Sequence, residues 1–468
     1  MMLRAIVTAL LALPAAAPSA LAWQPGTPLS LLQPPPFVGN VNGVAIAGLP
    51  LPSADINCTT RQAYQNGLWG DPVNFINMAR ALVAYAVDNS GNWSLTATSV
   101  SGVGGGALRE NNIGCLSEVA SENYVPNSSA SGAAAGTPGT MPTGWTNAPS
   151  SGVTVSVASV RTIGGVQTVT FNIAGTVGSG GASTYIYMGP SATTVAVSSG
   201  QQYTISAWLG ASGCASLNQF YLLATYNVSG NIASGNLQSN LASAIARFSQ
   251  SGTVSGSNTT LSLPYVNAYF NAGAVNCNIT IGWPQVEPRS APSSPIVTSN
   301  GAVSRPADVG TLINPLPFGR AFTAYASGTP NDPVSYGTTQ TPLQIDEGDN
   351  NSRWDLDRGS GSGQVGVGMT IATTAENVPN VTGIWSAGAF GKAIYAIDPG
   401  AQSADWSGEP SGVQTYAGVG TFAASRVDFG WGANANHQFD GSVARIMVWP
   451  SIQIPASLLP SIVAGTGP

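Results

Sequence analysis

From about residue 151 onward, apolar and polar residues alternate with a period of two. The runs 153–160, 167–175, 184–189, 193–198, 202–210, 220–228, 260–266 and 276–283 are short and are separated by Gly, Ser and Asn. Successive side chains of a strand point to opposite faces, so this alternation predicts strands with one face in a core and the other in water. Regular turn residues between short strands predict a β-sandwich or jelly roll. One short helix is expected at 240–250. A Pro/Ser-rich boundary at 288–302 leads into a second β-rich block, with runs at 321–327, 341–348, 352–359, 364–373, 392–398, 425–432 and 441–450. The tail 455–465 reads as a last helical turn capping a sheet.

Ahead of the alternating region the pattern is weaker. Residues 23–57 are Pro-rich, with Pro34, Pro35, Pro36, Pro50 and Pro52, and read as an extended arm with little packing of its own. Residues 72–87 carry the most helix-like spacing in the chain, blurred by β-leaning Val and Tyr. The expected fold is all-β: two consecutive β-sandwich (jelly-roll) domains after a short N-terminal region. The divisions fall at 1–22 for an apolar leader or tail, 23–112 for the arm and small N-terminal region, 113–298 for the first sandwich and 299–468 for the second.

Composition narrows the chemistry. Of 468 residues only 7% are charged, and the net charge is -6 with 14 Lys and Arg against 20 Asp and Glu. The basic residues are thirteen Arg and one Lys, Lys392, with no cluster to neutralise phosphates, which excludes nucleic acid as a partner. The single histidine, His437, excludes a metal site built on several His ligands within one chain. No GxxxxGK[ST] phosphate loop is present. A content of 43% hydrophobic residues with so little charge also differs from disordered chains.

Residues 1–22 join one positive charge, an apolar run from Ala5 to Ala17 and an Ala20-Leu21-Ala22 end, the parts of a secretory signal peptide. Pro14, Pro18 and the short length argue against a membrane-spanning helix, so no membrane insertion of the mature chain is expected. Four cysteines in an exported chain imply two disulfides with three connectivities. The order of the segments favours Cys58–Cys115 and Cys214–Cys277.

Three segments carry a resemblance. They are 80–93, 107–129 with Arg109, Gly114, Glu118, Asn123, Asn127 and Ser128, and 279–309 with Gln285, Glu287, Ser294, Ile296, Thr298, Arg305 and Asp308. Their linked order resembles bacteriophage structural and tail-fibre-like proteins, in which two such motifs flank a jelly roll similar to carbohydrate-binding modules. The last block, with Phe439-Asp440-Gly441 and 446–449, looks like a concanavalin A-like or laminin-G-like sandwich. The resemblance implies a virion- or cell-surface location, other virion or surface subunits as partners, and a homotrimer as in fibre-like relatives. Cys115 stands where those proteins carry an aliphatic residue, which suggests a disulfide-stabilised exported variant.

Sandwich proteins hold sugars by stacking aromatic rings on pyranose C–H faces while Asn, Gln, Asp and Arg bond the hydroxyls. Trp145, Tyr265, Tyr269, Trp406 and Trp431 lie in Gly/Asn/Ser-rich surroundings and are the glycan-contact candidates. Tyr203, Trp208, Trp283 and Trp449 read as core. The densest acidic cluster holds Asp346, Glu347, Asp349, Asp355 and Asp357, and Asp346 and Asp349 are its candidates for Ca²⁺. No other cofactor is expected. Asp355 and Asp357, on one face of a strand about 6.5–7 Å apart, are the one pair suited to glycosidase chemistry. The reading is a non-catalytic surface protein that binds a polysaccharide or other glycan. The alternatives are a purely structural coat or fibre subunit and a polysaccharide-degrading enzyme using carboxylates.

Overall fold

The computed structural model describes residues 40–41, 44–45, 49–72, 75–79, 84–87, 93–96, 110–111, 114–332, 339–348, 351–360, 362–371, 374–376, 383–398, 401–406, 409–415, 422, 424–430 and 437–465. The first 39 residues lie outside them, as do Trp431, Asp349, Gly91 and Arg109. The chain is built almost wholly of antiparallel strands, as the alternation predicts.

The first sandwich pairs two five-stranded sheets. One runs Thr146–Ala148, Ala182–Tyr187, Tyr265–Phe270, Leu217–Thr225, Asn231–Ala233 in spatial order. The other runs Val153–Ile163, Val166–Val177, Gly273–Glu287, Gln202–Ser212, Ala246–Thr253. Phe171, Phe220, Phe270, Ile173, Ile186 and Ile279 are fully buried between them. The disulfide Cys214–Cys277 ties the turn after Gln202–Ser212 to its neighbour Gly273–Glu287.

The second sandwich packs a ten-stranded sheet on a seven-stranded one around Trp354, Trp385, Phe322, Phe439 and Tyr395. The seven-residue helix Leu459–Gly465 covers the outer side of the larger sheet, where Ile462 and Val463 meet Trp449, Met447 and Ile394.

Among the described residues, the N-terminal region does not stand apart as an arm. Strand Ala54–Asn57 pairs with Gly441–Pro450 at Arg445–Val448, and Gly114–Ser117 pairs with the same strand at Gly441–Val443. Ala54 and Ile56 are buried in the second core. The disulfide Cys58–Cys115 joins the two segments where they share that strand, with 5.3 Å between the Cα atoms. At Gly114, with φ +153°, a Cβ would come within 2.5 Å of Val443 O, so close pairing demands glycine there.

Two helix expectations are corrected. Ile76–Ala79 and Ala84–Val87 within 72–87 are strands, the former closing the edge of the seven-stranded sheet against Val309–Leu312. The spacing was compatible with a helix, but β-branched and aromatic residues such as Ile, Val and Tyr suit a pleated strand better. Within 240–250, a 3₁₀ turn at Gln238–Asn240 gives way to strand Ala246–Thr253, which pairs with Gln202–Ser212. The capping turn in the tail forms as expected.

The two flanking motifs meet each other in a buried clasp. Ser121–Asn123 pairs with Val303–Arg305, so the first sandwich leaves and rejoins the second through adjacent strands. Glu118 accepts hydrogen bonds from Ser294 N and Oγ, both at 2.6 Å, and pairs with Arg305 at 3.5 Å. Asn123 Nδ2 donates to Ile296 O at 2.8 Å, and Ser128 and Thr298 exchange backbone-to-hydroxyl bonds at 2.8 Å. From the second sandwich, Gln438 Nε2 donates to Glu118 O at 2.7 Å and Asp308 O at 3.0 Å. Arg289 crosses into the second sandwich, bonded to Asp440 and 3.6 Å from Asp332. All three are buried, and Ser290 Oγ donates to Asp332 at 2.9 Å. The motif residues therefore fix how the two bodies join.

Candidate functional site

The sheet containing Ala182–Tyr187 turns Thr184, Ile186, Val266, Ala268 and Phe270 inward and leaves the alternate positions on its outer face. Strand register then decides which of those alternate residues are neighbours. Tyr187, Tyr265 and Leu223 form one row, Tyr185, Asn267 and Tyr221 a second, and Ser183, Tyr269 and Gln219 a third. Rows repeat about every 6.5–7 Å along the strands, and columns are about 4.8 Å apart. Five tyrosines thus share one grid, each half-buried.

Three of the rings form a cluster. Tyr185 and Tyr187 lie 6.1 Å apart at 21°, close to parallel, and Tyr265 leans on them at 5.2 Å from Tyr187 and 6.1 Å from Tyr185. Tyr265 OH and Thr225 Oγ1 share a hydrogen bond of 2.8 Å, and Tyr269 OH donates to Gly180 O at 2.6 Å. Burial raises the Tyr187 hydroxyl above its ordinary range, reinforced by Tyr265 and Tyr185, so it stays neutral at physiological pH. At the end of the grid a pocket of about 210 Å³ opens, lined by Tyr187, Pro190, Ser191, Thr225, Ser262 and Tyr265 among others. In the row of Tyr185 and Tyr221, Asn267 Oδ1 is buried and has no hydrogen-bond partner.

Of the glycan-contact candidates, Tyr265 and Tyr269 fall on this face. Trp145 does not. It is buried, its Nε1 donates to Asn127 O at 3.0 Å, and its ring packs 6.2 Å from Phe171. Trp406 is 8% exposed and lies 5.2 Å from Trp385, with Gly383 and Gly391 against its ring. The glycines near it make room for an indole and do not mark a binding loop. Sequence reasoning missed Tyr185, Tyr187 and Tyr221. The Tyr-Ile-Tyr alternation at 185–187 was the available signal, and only register joins it to Tyr265. Tyr203, Trp208, Trp283 and Trp449 are buried, as expected.

Of the acidic cluster, Asp346, Asp355 and Asp357 take strand positions that alternate with the core residues Ile345, Trp354 and Leu356 of the seven-stranded sheet. Asp346 is buried and anchors its own turn, accepting from Gly348 N at 2.6 Å and from Gln344 Nε2. Among the described residues no three His, Cys, Asp or Glu side chains converge as a cation site. Asp355 pairs with Arg353 at 2.8 Å, and Asp357 accepts from Thr341 Oγ1 at 2.7 Å. Burial, then Asp357, pushes Asp355 up to about 7, against the pull of Arg353 and His437. Burial likewise pushes Asp357 up to about 6, opposed by the Thr341 hydrogen bond. Asp428 is pushed up to about 6 by burial, opposed by hydrogen bonds from Arg426 and Thr311.

No protein-family model matches the chain, and no curated protein matches it. Solved structures similar to parts of it include the CBM40 module of the Ruminococcus gnavus IT-sialidase bound to α2,3 sialyllactose. It is 13% identical over 31% of this chain and 84% of that one, with a TM-score of 0.26. Domain 4 of AbnA, an extracellular arabinanase from Geobacillus stearothermophilus in complex with arabinotriose, is 13% identical over 35% of this chain and 77% of that one, TM-score 0.26. A pentraxin from Limulus polyphemus is 13% identical over 33% and 74%, also at 0.26. Likeness at this level carries nothing about function.

Proposed function

We propose that the protein is a non-catalytic glycan-binding protein of a virion or cell surface, with the tyrosine face of the first sandwich as its contact and the second sandwich as its mount. The grid of Tyr185, Tyr187, Tyr221, Tyr265 and Tyr269 is the observation that carries this reading. Tyrosine combines an apolar face that stacks on sugar C–H groups with a hydroxyl that bonds sugar hydroxyls. A half-buried aromatic cluster beside a pocket on an otherwise polar face is where a ligand is expected. The two disulfides fit an oxidising compartment outside the cytoplasm.

The carboxylates support the enzymatic alternative less well. Asp355 is 2% exposed, and both Asp355 and Asp357 are already bonded within the fold. The test is retention of residues 23–468 on a panel of surface polysaccharides. Retention lost in Tyr185→Ala and Tyr265→Ala but kept in Trp406→Phe supports the reading. Retention by no polysaccharide, or retention indifferent to both tyrosines, overturns it.

A further inference from the structure

The tyrosine face sits in a stretch of unusual electrical silence. Between Glu122 and Glu287 the sequence holds two charged residues, Arg161 and Arg247, and no carboxylate at all. None of the five strands of the tyrosine sheet contains Asp, Glu, Lys, Arg or His. The pocket is lined by Tyr, Gly, Pro, Ser, Thr and Leu alone. Arg247 belongs to the other sheet, where it lies 4.6 Å over the Trp208 ring and donates to Ser293 O at 2.6 Å and Ser206 Oγ at 3.0 Å. Arg161 is on Val153–Ile163, in that same other sheet.

An anionic sugar is recognised by paying for its desolvation with an Arg or Lys, most effectively through a bidentate fork. A calcium-bridged sugar needs carboxylate oxygens around the ion. This face supplies neither. It supplies ring faces and the hydroxyls of Tyr187, Thr225 and Ser262. From this we infer that the face selects uncharged saccharides, held by stacking and neutral hydrogen bonds, and that it discriminates against sialylated and uronate-containing chains. The inference rests on the glycan-binding reading and narrows it. Two consequences follow from the absence of charge. Affinity is insensitive to ionic strength, since no charge pair is screened, and it is insensitive to calcium chelation.

The experiment measures binding of the disulfide-bonded chain to two sets of probes in parallel. Mannan, dextran and xylan are the neutral set; alginate, polygalacturonate and polysialic acid are the anionic set. Each is titrated at low and high NaCl, with and without chelator. The expected result is binding within the neutral set that changes less than about twofold with salt and not at all with chelator. Tyr187→Phe should weaken it by roughly the tenfold of one hydrogen bond, while Tyr185→Ala abolishes it. Tyr187→Phe keeps the ring, so its effect is readable even if Tyr185→Ala misfolds. Preferred binding of anionic chains through the same tyrosines, or a steep fall with salt, overturns the neutral selectivity and leaves the glycan-binding reading standing. Binding of no probe removes that reading and the selectivity with it.

Discussion

The two sandwiches solve the same architectural problem with opposite use of charge. The first buries aliphatic and aromatic side chains between two sheets and remains almost without charged groups from Glu122 to Glu287. The second buries Asp346, Asp355, Asp428, Asp440, Arg358 and Arg445 beneath its surface. Buried charges cost desolvation and are retained where partners hold them. The contrast teaches that charge in this chain is concentrated in the second body and at the joint, and that the first body is left neutral. Where the bodies meet, the few charges of the first are spent on the second: Arg289 on Asp440 and Asp332, and Glu118 on Arg305.

The sharpest break in this comparison is expected at Arg289. Arg289→Met removes the guanidinium bonded to Asp440 and beside Asp332, and breaking a buried pair from one side costs about 3–5 kcal/mol. Calorimetry should then resolve two transitions, the second sandwich melting earlier. A single unshifted transition would show the latch to be unnecessary. Next in size is the staple of the second sandwich alone. Replacing Cys58 and Cys115 together by Ser should cost about 2–4 kcal/mol and move only that sandwich's transition, which differential cysteine-variant melts will check.

The pH response sharpens the contrast further. A carboxyl whose folded value is raised stabilises the fold fully below its unfolded value near 4 and loses that contribution as pH climbs through the folded value. Asp355 at about 7, with Asp357 and Asp428 at about 6, puts the loss between pH 4 and 7. The second sandwich should therefore unfold more readily at pH 8 than at pH 5, and Asp355→Asn should flatten that slope. The first sandwich holds no carboxylate between Glu122 and Glu287, so its transition should follow pH far less. Smallest is the effect of Tyr185→Ala on folding, about 0.5–1.5 kcal/mol from the lost aromatic pairs, set against its large effect on binding. If stability falls by far more, the ring is a core residue and not a contact.

Much of the fold was legible in the alternation of residues 153–160 or 202–210, because a two-sided strand imprints its period directly on the sequence. Both cysteine pairings were legible from segment order. The strand at Ile76–Ala79 was not, because its partner Val309–Leu312 lies far along the chain and no local pattern reports it. The proposed site was legible by half. Tyr265 and Tyr269 carried a local cue, whereas Tyr185, Tyr187 and Tyr221 join them only through register. Trp406 misled for a physical reason: glycine beside an indole provides the space a large ring needs in a core as readily as it marks a loop. Glu118, Ser294 and Arg305 stood out as motif residues flanking the first sandwich, but their mutual contact needed three dimensions.

Strand Gly441–Pro450 is shared by Ala54–Asn57 and Gly114–Ser117, and Asp55 and Arg445, which pair across it, stand 390 residues apart. A ribosome adding about 5–20 residues per second needs roughly 20–80 s to cover that distance. During that interval the early strands wait with an open edge while the first sandwich, whose ends already meet at Ser121 and Arg305, can close by itself. Manufacture of this molecule therefore runs inside out. The inserted body is finished first, and the body that carries it is completed only when the last strands arrive, which makes the waiting edge the place where a chaperone is most needed.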